Sequence, residues 1–174
     1  AEMKRNCRID KLKSRIIIVL LQSSQLIRIN RLGWEDVRKS RTDIIEMYNI
    51  LKENKNIDES KIIIGGMSQG GEISIDAVVN NVIPMIGFIA LNPAGGFMEG
   101  FEITNIKKAV EREVTGQIIT GESDKYFNKQ KKVAEYLNKC GMRIQFVVIP
   151  NVGHQYPPDV VERLDSAINY ILDK

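Results

Sequence analysis

The chain holds a single histidine, His154, and sets one of its serines in a glycine-flanked pentapeptide, Gly66-Met67-Ser68-Gln69-Gly70. A serine hydroxyl is a weak nucleophile at neutral pH and becomes effective when a neighbouring base takes its proton during attack on a carbonyl. His154, in Pro150-Asn151-Val152-Gly153-His154, is the base available for that step. An acid is then needed to fix the imidazole tautomer and to stabilise its charged form. The segment ITGESDKYF, residues 119–127, offers two, Glu122 and Asp124. We assign the role to Asp124, with Glu122 as the alternative and a plain solvated acidic turn as the reading without function.

The GxSxG spacing has a mechanical reason. A sharp strand-to-helix turn holds the serine in a strained backbone conformation and lifts its hydroxyl above the carboxyl edge of a sheet. Gly66 and Gly70 are expected to keep that turn from clashing. The backbone N–H of Gln69 then faces the reacting carbonyl from the start of a helix, where the dipole favours developing negative charge, so Gln69 is the expected oxyanion donor through its main chain. A phosphate-binding loop fits less well, because no Lys-Ser or Lys-Thr pair closes the segment.

The elements that must position these groups follow an alternating pattern of short β-branched runs and longer helical periods, the signature of an α/β protein with a parallel sheet covered by helices. Five strands are expected: Arg15 to Gln22, Lys61 to Gly66, Pro84 to Leu91, Gly116 to Thr120 and Arg143 to Ile149. A helix is expected where Val37, Arg41, Ile44, Ile45, Tyr48 and Leu51 recur, with Arg41 the one polar member of the stripe. Another starts at Gly70 and turns Ile73, Ala77 and Val78 inward. A third carries Val133, Leu137 and Cys140 and closes on Gly141, a residue suited to the left-handed conformation that ends helices. The last, introduced by Pro157 and Pro158, buries Val160, Val161, Leu164, Ala167, Ile168, Ile171 and Leu172. Ser68, the acidic turn and His154 thus each follow a different strand, at one edge of the sheet.

Composition narrows the function. With 174 residues, 43% of them hydrophobic, the chain suits one domain, spanning 1–174. A formal charge of +3 points to neither nucleic acid nor an anionic membrane. One histidine and no CxxC pair exclude a multi-histidine or zinc-finger metal site, so any metal would need carboxylates alone. The longest apolar run, Ile16 to Leu21, is strand-sized, too short for a membrane span. Cys7 and Cys140 suit reduced thiols, which implies a cytoplasmic location. Oligomeric state, including a homo-oligomer, stays open.

With these residues in hand, the chain resembles the phospholipase/carboxylesterase branch of the α/β-hydrolases, which includes acyl-protein thioesterases. The resemblance rests on QSSQ (22–25), Gly33-Trp34 with Asp36, GGMSQGG (65–71), TGESD (120–124) and GHQYPPD (153–159). The order Ser68, Asp124, His154 is that of the α/β-hydrolase triad. The resemblance implies a three-layer sandwich with a mainly parallel sheet and a serine hydrolase without cofactor. It would cleave a small-molecule ester or thioester through an acyl-enzyme on Ser68. A hydrolase-like binding or scaffold protein without turnover is the alternative. Trp34 resembles a family tryptophan near the site and equally suits packing at a helix start, so it stays outside the candidate set.

One departure stands out. Family members carry an upstream strand whose His-Gly type loop gives a second oxyanion donor, followed by a helix; here AEMKRNCRIDKLK matches that helix and nothing like His-Gly precedes it. Asn92 to Phe97, NPAGGF, is glycine-rich but follows the third expected strand and is a poor substitute. The expectation is therefore an N-terminally truncated hydrolase domain with a gap inside its sheet, its upstream segment absent or supplied by another chain.

Overall fold

The computed structural model describes residues 16–96 and 101–173. The helix expected over AEMKRNCRIDKLK, together with Cys7 and Phe97, lies outside them. A short antiparallel hairpin, β1 (Leu26–Arg28) and β2 (Arg31–Leu32), comes first and turns through Asn30 at φ 60°. There follow α1 (Val37–Asn54), β3 (Ile63–Met67), α2 (Gln69–Val79), β4 (Gly87–Leu91) and α3 (Ile103–Glu111). The chain then continues through β5 (Thr115–Gly121), α4 (Phe127–Lys139), β6 (Arg143–Ile149) and α5 (Val160–Leu172). A 3₁₀ turn, Glu59–Lys61, leads into β3.

Strands β3, β4, β5 and β6 form one parallel sheet in that spatial order. Its two central strands are buried along their whole length. Because successive side chains of a strand point to opposite faces, β4 sends Phe88 and Ala90 to one core and Ile89 and Leu91 to the other. The first core is closed by α1 to α4 through residues such as Ile44, Ile75, Ile106 and Leu137, the second by α5 through Leu164, Ala167 and Ile171. Three layers result. Each large aliphatic or aromatic side chain so buried contributes about 2 kcal/mol of hydrophobic stabilisation before entropy is counted. Helix α2 is buried from Gly71 to Val79, more than its expected stripe of Ile73, Ala77 and Val78.

Helix ends follow local chemistry. Asp36 caps α1 by accepting from the N–H groups of Arg38 and Lys39 at 2.9 and 3.1 Å. Gly141 takes φ 99° just past α4, as its position after the apolar stripe requires. In α1 the buried face is narrower than the periodicity suggests: Ile44 is buried and Ile45 exposed. Arg41 holds the buried Asp76 of α2 with two 2.8 Å hydrogen bonds.

Four of the five expected strands form the sheet, and the first does not. Residues 16–25 make no strand pairing, and Ile16, Ile17, Ile18 and Val19 are exposed, Ile17 by 63%. A β-branched run becomes a strand only where a neighbouring ladder takes up its N–H and C=O groups. Among the described residues, β3 is paired with β4 alone. Leu20 nevertheless packs on the core beneath α5 and Leu21 on the opposite core, the alternation of an extended segment lying against both faces.

Candidate active site

Ser68 stands between β3 and α2 at φ 57° and ψ −120°, a conformation that costs a non-glycine residue on the order of 1–3 kcal/mol and is held by its surroundings. Those surroundings are backbone. The Ser68 N–H donates to Leu91 O at the end of β4 (3.0 Å), and Ser68 O accepts from Glu72 N (3.1 Å) and Ala94 N (3.2 Å). The glycine-rich segment after β4 therefore folds against the elbow. Gln69 is the first residue of α2, so its N–H is one of those that an α-helix leaves without an internal partner.

His154 lies in the loop between β6 and α5. Its Nε2 is 3.0 Å from Ser68 Oγ and its Nδ1 is 2.8 Å from Asp124 Oδ2. The Asp124 side chain is fully buried while that of His154 is 26% exposed, so the carboxylate is shielded from solvent and the imidazole reaches the surface. The second oxygen of Asp124 accepts from the N–H of Tyr126 at 2.7 Å, which leaves both carboxylate oxygens engaged and the rotamer fixed. Tyr126 also meets the imidazole edge-on, with ring centroids 5.5 Å apart. Glu122, the alternative acid, is exposed and accepts only a long bond from Asn151 N at 3.4 Å.

Ser68, Asp124 and His154 thus converge, and backbone geometry brings their loops together. Glu122 N donates to Ile149 O and Ser123 N to Val152 O, each at 2.9 Å, stitching the acidic turn to the histidine loop. Gly121 permits this closeness: a β-carbon there would run into the carbonyl oxygens of Val152 and Gly153. Sequence reasoning passed over Gly121, whose signal was a glycine at the end of a strand directly before the acidic turn. It also missed the Gln69 side chain, whose oxygen accepts from Trp34 N at 3.3 Å and ties the segment after the hairpin to the elbow. Trp34 itself packs against the core beneath α1 to α4. From QSSQ, Gln25 is buried and accepts from Glu35 N and Asp36 N at 3.0 and 2.7 Å, anchoring the start of α1.

Among the described residues no group of three His, Cys, Asp or Glu side chains is placed to hold a metal ion, and no helix is long and apolar enough to cross a membrane. A cavity of about 340 Å³, lined in part by Asn81, Pro84, Ile86 and Arg112, opens before β4 at the sheet edge opposite the three converging side chains.

A parallel sheet between helical layers, with a strained serine at a strand-to-helix turn, defines an α/β-hydrolase fold. The chain belongs to the phospholipase/carboxylesterase family, whose model matches residues 34–172. It is 29% identical over 131 residues to acyl-protein thioesterase 1 of Debaryomyces hansenii, a stretch covering 73% of this chain and 55% of that protein. An uncharacterized protein from Bacillus cereus superposes with a TM-score of 0.78 at 25% identity, over 87% of this chain and 49% of its own. The SOBER1 structure of Arabidopsis thaliana shares the fold, with a TM-score of 0.60 at 17% identity, over 83% of this chain and 69% of that one. The chain therefore spans about half the length of the yeast and Bacillus relatives.

Proposed function

We propose that the protein is a serine carboxylesterase or thioesterase that cleaves a small or acyl ester, with Ser68 as nucleophile, His154 as base and Asp124 as the group that orients the base. The observation that carries this is the pair of hydrogen bonds running from Asp124 through His154 to Ser68, on a serine held in a strained turn. Ser68 Oγ adds to the substrate carbonyl as its proton passes to His154 Nε2. The Gln69 N–H donates a hydrogen bond to the carbonyl oxygen as negative charge grows on it. The bond to the alcohol or thiol then breaks, and the proton on Nε2 leaves with that group. Water attacks the acyl-serine ester by the same path in reverse, giving up a proton to His154 and releasing the acid, and Ser68 regains its hydrogen.

The chain is read as the C-terminal portion of one α/β-hydrolase domain. The side of β3 that is unpaired among the described residues would take a further strand, which would bring the second oxyanion donor. Exposure of Ile16 to Val19, with Leu20 and Leu21 packed on opposite faces of the sheet, supports this. Loss of one such donor costs about 3 kcal/mol of transition-state stabilisation. That same edge, unpaired among the described residues, favours the second reading, a hydrolase-like binding protein without turnover.

The test is covalent labelling of the full-length gene product by a fluorophosphonate probe, beside hydrolysis of p-nitrophenyl acetate and butyrate. Labelling that disappears in Ser68→Ala, and turnover that disappears in His154→Ala, is the expected outcome. Equal labelling of Ser68→Ala and its parent would overturn the enzyme reading.

A further inference from the structure

Asn92 is the first residue past β4, and it is 2% exposed at φ 42°. Its N–H donates to Ile119 O at 2.8 Å, extending the β4–β5 pairing by one step. Its side chain then leaves the sheet and meets two different loops. Oδ1 accepts from the N–H of Gly121 at 2.9 Å, and Nδ2 donates to the carbonyl of Gln155 at 2.8 Å. Both partners are backbone groups of fixed polarity, so the orientation of the amide is chemically determined. Thr120 Oγ1 also lies 3.3 Å from Oδ1, but its one proton goes to the closer Gln130 Oε1, and Gln130 Nε2 donates to Pro93 O.

What these contacts join is the point. Gly121 O accepts from the main-chain N–H of Asp124 at 3.0 Å, so the glycine held by Asn92 is itself bonded to the backbone of the residue that carries the carboxylate. Gln155 follows His154 in the chain. Two residues after Asn92, Ala94 N donates to Ser68 O. One short segment therefore touches the loops of all three converging side chains. We infer that Asn92 is a positioning residue that sets the spacing of the Asp124 and His154 loops through a single buried amide. The inference rests on the proposed triad.

Three demands meet at this position: a left-handed backbone, an acceptor for Gly121 and a donor for Gln155. Asparagine answers all three. Glycine answers only the first. Aspartate answers the first two and sets a carboxylate oxygen against the Gln155 carbonyl, breaking the tether to the histidine loop alone.

The experiment compares Asn92→Gly and Asn92→Asp with the parent in the full-length gene product, assayed on p-nitrophenyl butyrate well below the melting temperature of each variant. For both we expect kcat to fall about 10- to 100-fold with KM within about twofold, because misplacement by an ångström acts on the reacting geometry and not on substrate binding. The rate of fluorophosphonate labelling should fall by the same factor as kcat/KM. A residue that merely secured the β4–β5 junction would leave Asn92→Asp at parental kcat, since that variant keeps the Gly121 contact. Parental kcat in Asn92→Asp would overturn the inference, and so would failure of both variants to fold. If Asn92→Asp is parental while His154→Ala is inactive, the positioning role alone has failed. If His154→Ala keeps parental activity, the triad has failed with it.

Discussion

Gly66 lies against Gly70 across the turn that carries Ser68: a β-carbon on Gly66 would stand 2.6 Å from both the carbonyl carbon and the carbonyl oxygen of Gly70. The obstruction is backbone, so Gly66→Ala must open the elbow itself. We expect a loss of about 1–3 kcal/mol in urea unfolding and loss of fluorophosphonate labelling. Gly70 differs from the expectation that both glycines relieve the turn, because a β-carbon there meets nothing within 4 Å. Gly70→Ala should fold at least as stably as the parent, by up to about 1 kcal/mol, through the lower entropy cost of alanine in a helix.

The two neighbouring acids separate cleanly. Asp124 is buried and bonded to His154, and Glu122 is exposed. Asp124→Asn keeps the shape and disturbs the imidazole tautomer, so kcat for p-nitrophenyl butyrate should fall about 10³- to 10⁴-fold. Glu122→Gln should stay within about twofold of the parent. Equal losses in the two variants would mean that the acidic turn acts as a whole and not through one carboxylate.

Much of this arrangement was legible in the sequence, for physical reasons that differ by element. Strand β4 announces itself because a strand buried on both faces favours an unbroken apolar run, as in GFIAL, whereas β5, TGQIITG, buries Thr115, Gln117 and Thr120 and is legible only through its Ile118–Ile119 pair. The elbow is legible because only glycine fits at Gly66. The hairpin β1–β2 is not: its Leu26 and Ile29 are exposed by 69% and 92%, so burial imposes no alternation to read. The run Ile16 to Leu21 reads as a strand because side-chain composition reports the preference of a segment and not the presence of a neighbour. Asn92 and Gly121 stay hidden for another reason. Their roles depend on loops that meet only after folding: Asn92 lies 29 residues from Gly121 and 63 from Gln155.

Acid should loosen the start of α5. Arg163 bonds both oxygens of Asp159, at 2.8 Å each, and holds this carboxyl below its ordinary value of 3.8. A carboxyl depressed in the folded state contributes stability above its unfolded pKa, and that contribution disappears as pH falls through the folded value. The pair is partly exposed and screened by solvent, so the effect is small. In Asp159→Asn the fall in urea midpoint between pH 7 and pH 3 should be smaller than in the parent. An equal fall would show that Asp159 takes no part in the acid response.

The Arg41–Asp76 pair should respond unequally to loss of its two members. The side chain of Asp76 is 6% exposed and that of Arg41 is 36% exposed. Desolvation thus falls mainly on the carboxylate, which also accepts from Asn80 Nδ2 at 2.9 Å. Removing the guanidinium in Arg41→Met leaves a buried charge with one neutral donor, at a cost of about 2–3 kcal/mol. Removing the charge in Asp76→Asn leaves an arginine that can turn into water, at about 1 kcal/mol. Urea denaturation of the two single variants and the double variant measures both costs and the coupling between them. Because α1 covers α2 and α2 begins next to Ser68, the more damaging variant should also lose heat resistance of esterase activity ahead of the other. A larger loss in Asp76→Asn than in Arg41→Met would mean that the arginine, not the carboxylate, carries the burden of burial.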